Sequence, residues 1–370
     1  MRVVIAANQA TKHEPIRQTV LGMGMECTPD DCVSSGELPV RLSHGAVNLL
    51  LVHAADDVHG AIDVIKSALP LTPAPVLAVG PAREPADVLQ LIQGGAREYL
   101  DEGSLQTGLE RAMDKLHLTA LARLGHGNVV GVVSATPGSG VTTVATTLAF
   151  LWAGKHKDRV VLAELGREAA DLALSLDLNP RHTIVDVAGG NNLDRLDATF
   201  VKRCLTPHAA GVQVLAYKPE TLSGEPLDPR AVRKALLLMK STFAAAVLDL
   251  GHLMGEEHFE AMKLCDSIVV VVRLDVPSLR QARRFLRVLS DHGVPRERIR
   301  LVANRYGQRG QIAWKKAEEA LGAKFVEYVP DDCGSINYAL NQGQPLARAR
   351  RHCRVVRRIG KLAAMLNGRS

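Results

Sequence analysis

Aromatic residues make up only 4% of this 370-residue chain, so its core must come from the aliphatic side chains that dominate its 46% apolar share. No apolar stretch approaches the roughly 18 residues of a helical membrane span. The N-terminus alternates short apolar runs with polar residues and lacks the apolar block of a signal peptide, so the expected location is cytoplasmic. Cys27, Cys32, Cys204, Cys265, Cys333 and Cys353 form no C-x-x-C pair and no zinc spacing, which argues against a metal ribbon and for reduced thiols. Internal repeats and low-complexity segments are missing too, which excludes a solenoid. The length suits two ordinary globular domains.

Acid is absent from the last 25 residues, which hold eight basic ones. The net charge of +6 is correspondingly uneven: residues 1–120 hold 9 Lys or Arg against 15 Asp or Glu, the remainder 36 against 24. In the tail, Arg348, Arg350, Arg351, Arg354, Arg357, Arg358 and Lys361 accompany Val355, Ile359, Leu362 and Leu366 at helical spacing. Such a basic amphipathic helix suits contact with an anionic membrane surface. Nucleic acid is a weaker fit. The plainer expectation is a terminal helix packed on a sheet by its apolar stripe, with a solvated basic face.

Strand patterns over 3–7, 47–52, 76–79 and 98–100 alternate with helical ones over about 14–22, 61–69, 85–94 and 108–118, which implies a small parallel sheet covered on both faces. Residues 121–128, with Gly125 and Gly127, read as a connection. A second α/β unit follows, with strands starting at Val129 and over 160–164, 212–215, 245–250, 267–272 and 300–304. The expected organisation is a domain over 1–120, a linker over 121–128, a second domain over 129–345 and a basic helix over 346–370. Both domains are expected to be doubly wound α/β with parallel sheets.

A missing lysine gives residues 134–143 their interest. They read S-A-T-P-G-S-G-V-T-T between an apolar run and a helical pattern, the setting of a phosphate loop. Gly138 and Gly140 let backbone N–H groups around Ser139 and Thr143 face a phosphate, and Thr142 offers the hydroxyl that would ligate Mg²⁺. Val141 stands where the lysine belongs. The cradle predicts binding of ATP with Mg²⁺, and the missing cation predicts poor turnover. One lost charge-assisted contact weakens binding by about 1.5–3 kcal/mol, whereas a lost transition-state cation lowers a rate by about 10³–10⁵.

Three more strand ends follow the loop in order, at Glu164, Asp249 and Asn304-Arg305. Their order and spacing resemble P-loop ATPases of the MinD/ParA type. The resemblance implies that Glu164 takes the place of the acid that positions water, with Gly166 where a second acid belongs. It places Asp249 as the Walker B aspartate that holds Mg²⁺ through water, and Asn304 and Arg305 beside the adenine.

Residues 1–120 in turn resemble the receiver domain of response regulators. Such a domain needs carboxylates after the first strand, aspartate at the end of the third, a hydroxyl after the fourth and lysine after the fifth. Here those places hold Ala7-Asn8, His53, Gly80 and Asp101, so the resemblance implies a pseudo-receiver used for docking or dimerisation. His53 reads as structural, and Asp56 and Asp57 as caps of the next helix.

A closer resemblance covers essentially the whole chain. Residues 171–186 (D-L-A-L-S-L-D-L-N-P-R-H-T-I-V-D), 193–198 (L-D-R-L-D-A), 277–280 (P-S-L-R), 304–306 (N-R-Y) and 337–343 with Pro345 resemble the TadZ/CpaE family of pilus assembly proteins. That resemblance implies a homodimer at the inner face of the cytoplasmic membrane, at a cell pole. There it would localise a Tad-type (Flp) pilus secretion system and recruit the Tad secretion ATPase and other pilus components. The family commonly keeps an earlier signature lysine that reaches the partner subunit's nucleotide. Thr136, followed by Pro137, occupies that position. The competing readings are an active MinD/ParA-like ATPase that positions cargo and a pseudo-receiver signalling regulator.

Overall fold

Short runs of valine, leucine and isoleucine, ended by glycine or polar residues, make the strands of the first unit: β1 (Val3–Ala6), β2 (Cys32–Val33), β3 (Leu49–His53), β4 (Val76–Gly80) and β5 (Glu98–Asp101). All four pairings are parallel, in the order β2-β1-β3-β4-β5. Alternate residues feed two separate cores, Val4, Ala6, Leu50 and Val52 on one face and Val3, Ile5, Leu49 and Leu51 on the other. A strand buried on both faces is what crossover helices on both sides of a parallel sheet produce. The computed structural model describes all residues except 8–9, 45, 55–56, 125–126, 167–170, 191–192, 219–226, 253 and 368–370. It divides into two units, Met1–Ala120 and Leu121–Ser370.

The second unit carries β6 (Asn128–Val133), β7 (Val160–Glu164), β8 (Thr206–His208), β9 (Val212–Leu215), β10 (Ala245–Asp249), β11 (Ser267–Arg273), β12 (Ile299–Tyr306) and β13 (Phe325–Pro330). Their order is β13-β12-β11-β6-β10-β7-β9-β8, parallel throughout except for the antiparallel edge strand β8. β6 is central, and the chain places β7 and β10 to one side of it and β11 to the other, so a crevice opens at the carboxyl end of β6 where ligands of doubly wound sheets bind.

From that crevice leaves the helix Val141–Ala153, which is apolar nearly all round because it is covered nearly all round. One side packs on the sheet. The other meets the helix Arg354–Leu366, whose Val355, Val356, Ile359, Leu362, Ala363 and Leu366 are buried in the same core. Trp152 Nε1 donates to the Ala363 carbonyl at 3.3 Å, and Asn128 Nδ2 to that of Leu366 at 3.1 Å. The apolar stripe of the tail is therefore spent inside this unit, packed as the plainer expectation had it. The tail is also not one helix: Leu346–Ala349 and Arg354–Leu366 are separate, the second capped by Cys353 Sγ accepting from Val356 N at 3.5 Å. Half of the expected 121–128 connection is helical, since Leu105–Leu124 is one helix.

Candidate functional site

The loop between β6 and the helix Val141–Ala153 is built on two left-handed glycines, Gly138 at φ +66° and Gly140 at φ +96°. Only glycine takes such angles freely, and a Cβ on Gly140 would lie 2.3 Å from Asn304 Nδ2. Hydroxyls brace the turn. Ser134 Oγ accepts from Thr136 N at 3.1 Å, Ser139 Oγ donates to Thr136 O at 2.9 Å, and the Thr136 and Ser139 hydroxyls lie 2.8 Å apart. Thr136, at the signature-lysine position, is thus turned into its own loop. Val141 is only 8% exposed and packs in the core with Val144 and Leu148.

The end of β12 grips this loop from across the crevice. Asn304 Nδ2 donates to Ser139 O at 2.7 Å, and Arg305 Nη2 to Gly138 O at 3.0 Å. The asparagine is buried, so its amide is committed to the loop.

A cavity of about 390 Å³ opens over the loop, lined among others by Gly138, Thr142, Thr143, Glu164, Asp249 and Arg305. β7 and β10 pair with Glu164 directly opposite Asp249. Both carboxylates are buried. Glu164 Oε1 accepts from Leu172 N at 3.2 Å and Oε2 from Tyr217 N at 3.0 Å, so each oxygen holds a backbone amide. Burial, reinforced by the charge of Asp249, pushes the Glu164 carboxyl up to about 8, which leaves it mostly protonated at neutral pH. Placed this way, Glu164 anchors the segments that start at Leu172 and Tyr217. Asp249 Oδ1 accepts from Gly251 N at 3.2 Å.

A magnesium nucleotide fits what is present. The helix N-terminus and the glycine-opened loop suit phosphate, and the Thr142 hydroxyl and Asp249 carboxylate supply the hard oxygen donors that Mg²⁺ takes. Sequence reasoning missed Gly251 and His252, which also line the cavity. The available signal was the glycine two residues past a strand-ending carboxylate, which the structure holds at φ +63°.

In the first unit, His53 ends β3 with Nε2 in a short bond to Glu102 Oε1, while Lys12 Nζ lies 3.1 Å from Glu102 Oε2. Burial opposes ionisation of Glu102, but the hydrogen bonds and charges of His53 and Lys12 outweigh it and hold the carboxyl below its usual range. Asp57 caps its helix by accepting from Gly60 N at 2.9 Å, and Asp101 accepts from Gly103 N at 3.3 Å. Asn8 and Asp56 lie outside the described residues. No helix among the described residues is long and apolar enough to cross a membrane.

No family model matches the chain. It is 24% identical over 249 residues to the septum site-determining protein MinD of Thermotoga maritima, covering 65% of this chain and 89% of that protein. Among solved structures, a ParA family ATPase from Chlorobium tepidum superposes with TM-score 0.58 at 19% identity, over 64% of this chain and 98% of that one. MinD from Pyrococcus horikoshii, complexed with Mg-ADP, gives 0.56 at 18% identity over 65% and 96%. The MinC:MinD complex of Aquifex aeolicus gives 0.55 at 20% over 66% and 97%. About 65% of the chain therefore has the parallel-sheet α/β fold of the MinD and ParA ATPases.

Proposed function

We propose that this chain is a nucleotide-binding scaffold with little or no turnover, acting as a localisation and assembly factor of a Tad-type pilus secretion system. One observation carries the first half: the backbone cradle is complete while both lysine positions are occupied by side chains directed elsewhere, Val141 into the core and Thr136 into its own loop. Loop amides from Gly138 to Thr143 would bind phosphate, and Thr142 and Asp249 would hold Mg²⁺. That ion, when bound, offsets phosphate charge next to Asp249. Glu164, at the place of the acid that positions water, is instead fixed by two backbone amides.

The second half rests on the residues that resemble the TadZ/CpaE family. It is supported by a five-stranded unit whose 2-1-3-4-5 order is that of receiver-like folds, with His53 tied to Glu102 at the acceptor position. On this reading the first unit is a pseudo-receiver that docks or dimerises, and the chain acts as a homodimer. The secretion ATPase and other pilus components are recruited at the inner face of the cytoplasmic membrane. The exposed Arg351, Arg354, Arg357 and Lys361 are left for electrostatic contact with that surface.

Calorimetry with ATP and Mg²⁺, run beside Thr142→Ala and a phosphate-release assay, tests the site. Micromolar binding that Thr142→Ala removes, without turnover, is the expected result. Appreciable turnover would replace the scaffold with a working ATPase, and no binding would reduce the loop to a structural turn. Affinity capture that fails to retain a secretion ATPase would remove the pilus role.

A further inference from the structure

We infer that the outer face of the helix Val276–Asp291 and the hollow beside it form a docking site for an acidic segment of a partner protein. One apolar side chain of that segment fills the hollow while its flanking carboxylates pair with arginines. The site is separate from the phosphate-type loop and needs no nucleotide.

The helix presents Arg280, Arg283, Arg284 and Arg287, all exposed. They stand three and four residues apart, so they form one ridge, and like charges at that spacing weaken a helix. No acid interrupts them between Val276 and Asp291. None of the four makes an ion pair or hydrogen bond with another described residue. Their charge is therefore uncompensated among the described residues, and it is available to an anionic partner.

A hollow of about 270 Å³ lies against the ridge. Exposed Arg283, Arg287 and Arg296 border it, and Leu286, Val294 and Leu321 give it an apolar floor, with Val294 and Leu321 only 4% and 5% exposed. Among the described residues no carboxylate lines it. Arg296 Nη2 donates to the Gly322 carbonyl at 3.1 Å, which steadies one side of the rim. Ile299, where β12 begins, also borders the hollow, whereas Asn304 grips the phosphate-type loop five residues on, about 17 Å along the strand. The two sites sit at opposite ends of the sheet.

A guanidinium rim over an apolar floor selects a ligand that carries an apolar group beside its acids. Duplex nucleic acid matches the ridge, but it keeps its bases stacked inside and offers the floor nothing apolar. A bilayer takes apolar side chains that protrude, and here they are recessed. An acidic peptide segment satisfies both halves: carboxylates pair with guanidinium in a bidentate fork, and arginine beside a desolvated apolar pocket makes an interface centre.

The test is fluorescence anisotropy of the full chain, without nucleotide, against a dye-labelled peptide Glu-Glu-Leu-Glu-Glu and the same peptide with glycine for leucine. A labelled DNA duplex and phosphatidylglycerol vesicles are run beside them. Expected is saturable binding of the leucine peptide, about tenfold tighter than that of the glycine peptide. Arg287→Glu should weaken it by about tenfold or more. It should also unfold at or above the wild-type urea midpoint, since it relieves like-charge pairs with Arg283 and Arg284. Ser290→Trp, which plugs the hollow and leaves every charge in place, should abolish the preference for leucine. Arg309→Glu, an exposed arginine past the other end of β12, should stay within about twofold of wild type. Equal affinity for the two peptides would reduce the ridge to a bare electrostatic surface and overturn the inference, as would the lack of saturable binding. Tighter, Arg287-dependent binding of the duplex or the vesicles would overturn it in favour of nucleic acid or membrane.

Discussion

Replacing Gly140 by alanine tests whether the phosphate-type loop and the end of β12 behave as one piece. At φ +96° an L side chain costs about 1–2 kcal/mol. The new Cβ would also sit 2.3 Å from Asn304 Nδ2. Asn304 must then give up its 2.7 Å bond to Ser139, and leaving buried polar groups unsatisfied costs about 1–3 kcal/mol more. The expected total is about 2–5 kcal/mol. Gly138→Ala carries only the first term, about 1–2 kcal/mol, because no atom lies within 4 Å of its added Cβ. In an Asn304→Ala background Gly140→Ala should also cost only that first term, so the double variant falls short of the sum by about 1–3 kcal/mol. Trp152 and Trp314 both lie in the second unit, so urea unfolding followed by tryptophan fluorescence reads that unit within the whole chain. Equal costs at the two glycines, or strict additivity with Asn304→Ala, would refute the clamp.

Ile359→Ala, at a fully buried position, should cost about 2–5 kcal/mol in the same assay, while Arg354→Glu on the exposed face should stay within about 0.5 kcal/mol; a negligible effect at Ile359 would mean that the stripe is free. The Glu164 carboxyl is raised from 4.5 to about 8. Its contribution to stability is therefore complete below the unfolded value and is lost as pH rises through the folded one. Glu164→Gln, with no proton to lose, should gain on wild type by an amount on the order of a few kcal/mol across that window in metal-free buffer. A pH-independent difference would refute this. Burial pushes the Cys27 and Cys265 thiols up to about 12. At pH 8 iodoacetamide should therefore label exposed Cys333 at least about tenfold faster, read by mass spectrometry; comparable rates would show that those thiols are not buried.

Where strands were short valine- and leucine-rich runs the sequence was easily read: β7 and β9 lie at 160–164 and 212–215, as expected. β13 escaped because its alternation is broken. Glu327 points inward with Phe325 and Val329 while Val326 is exposed, an arrangement that becomes sensible only once Arg358, from the later helix, is seen 2.6 Å from Glu327. β2 and β8 are two and three residues long, below what periodicity can register. The helices expected from about 14 and 108 begin earlier, at Ala10 and Leu105, despite Pro15 and Gly108. Each lies inside its helix, which the surrounding packing sustains against local propensity. At the site, the loop and the strand-end residues were legible as a list. That Asn304 and Arg305 grip the loop could not be read, because it depends on the left-handed turn at Arg305.

The hydrogen bond from Asn128 to Leu366 joins the first strand of the second unit to its last helix across 238 positions. During synthesis, the helix that carries Thr142 has its outer face uncovered until residues 354–366 have emerged. Aliphatic surface around Trp152 then waits in water for the whole translation of this unit, at about 5–20 residues per second. Chains cut short before Ile359 would thus present an assembled sheet with an open apolar flank, a form suited to aggregation or to capture by chaperones.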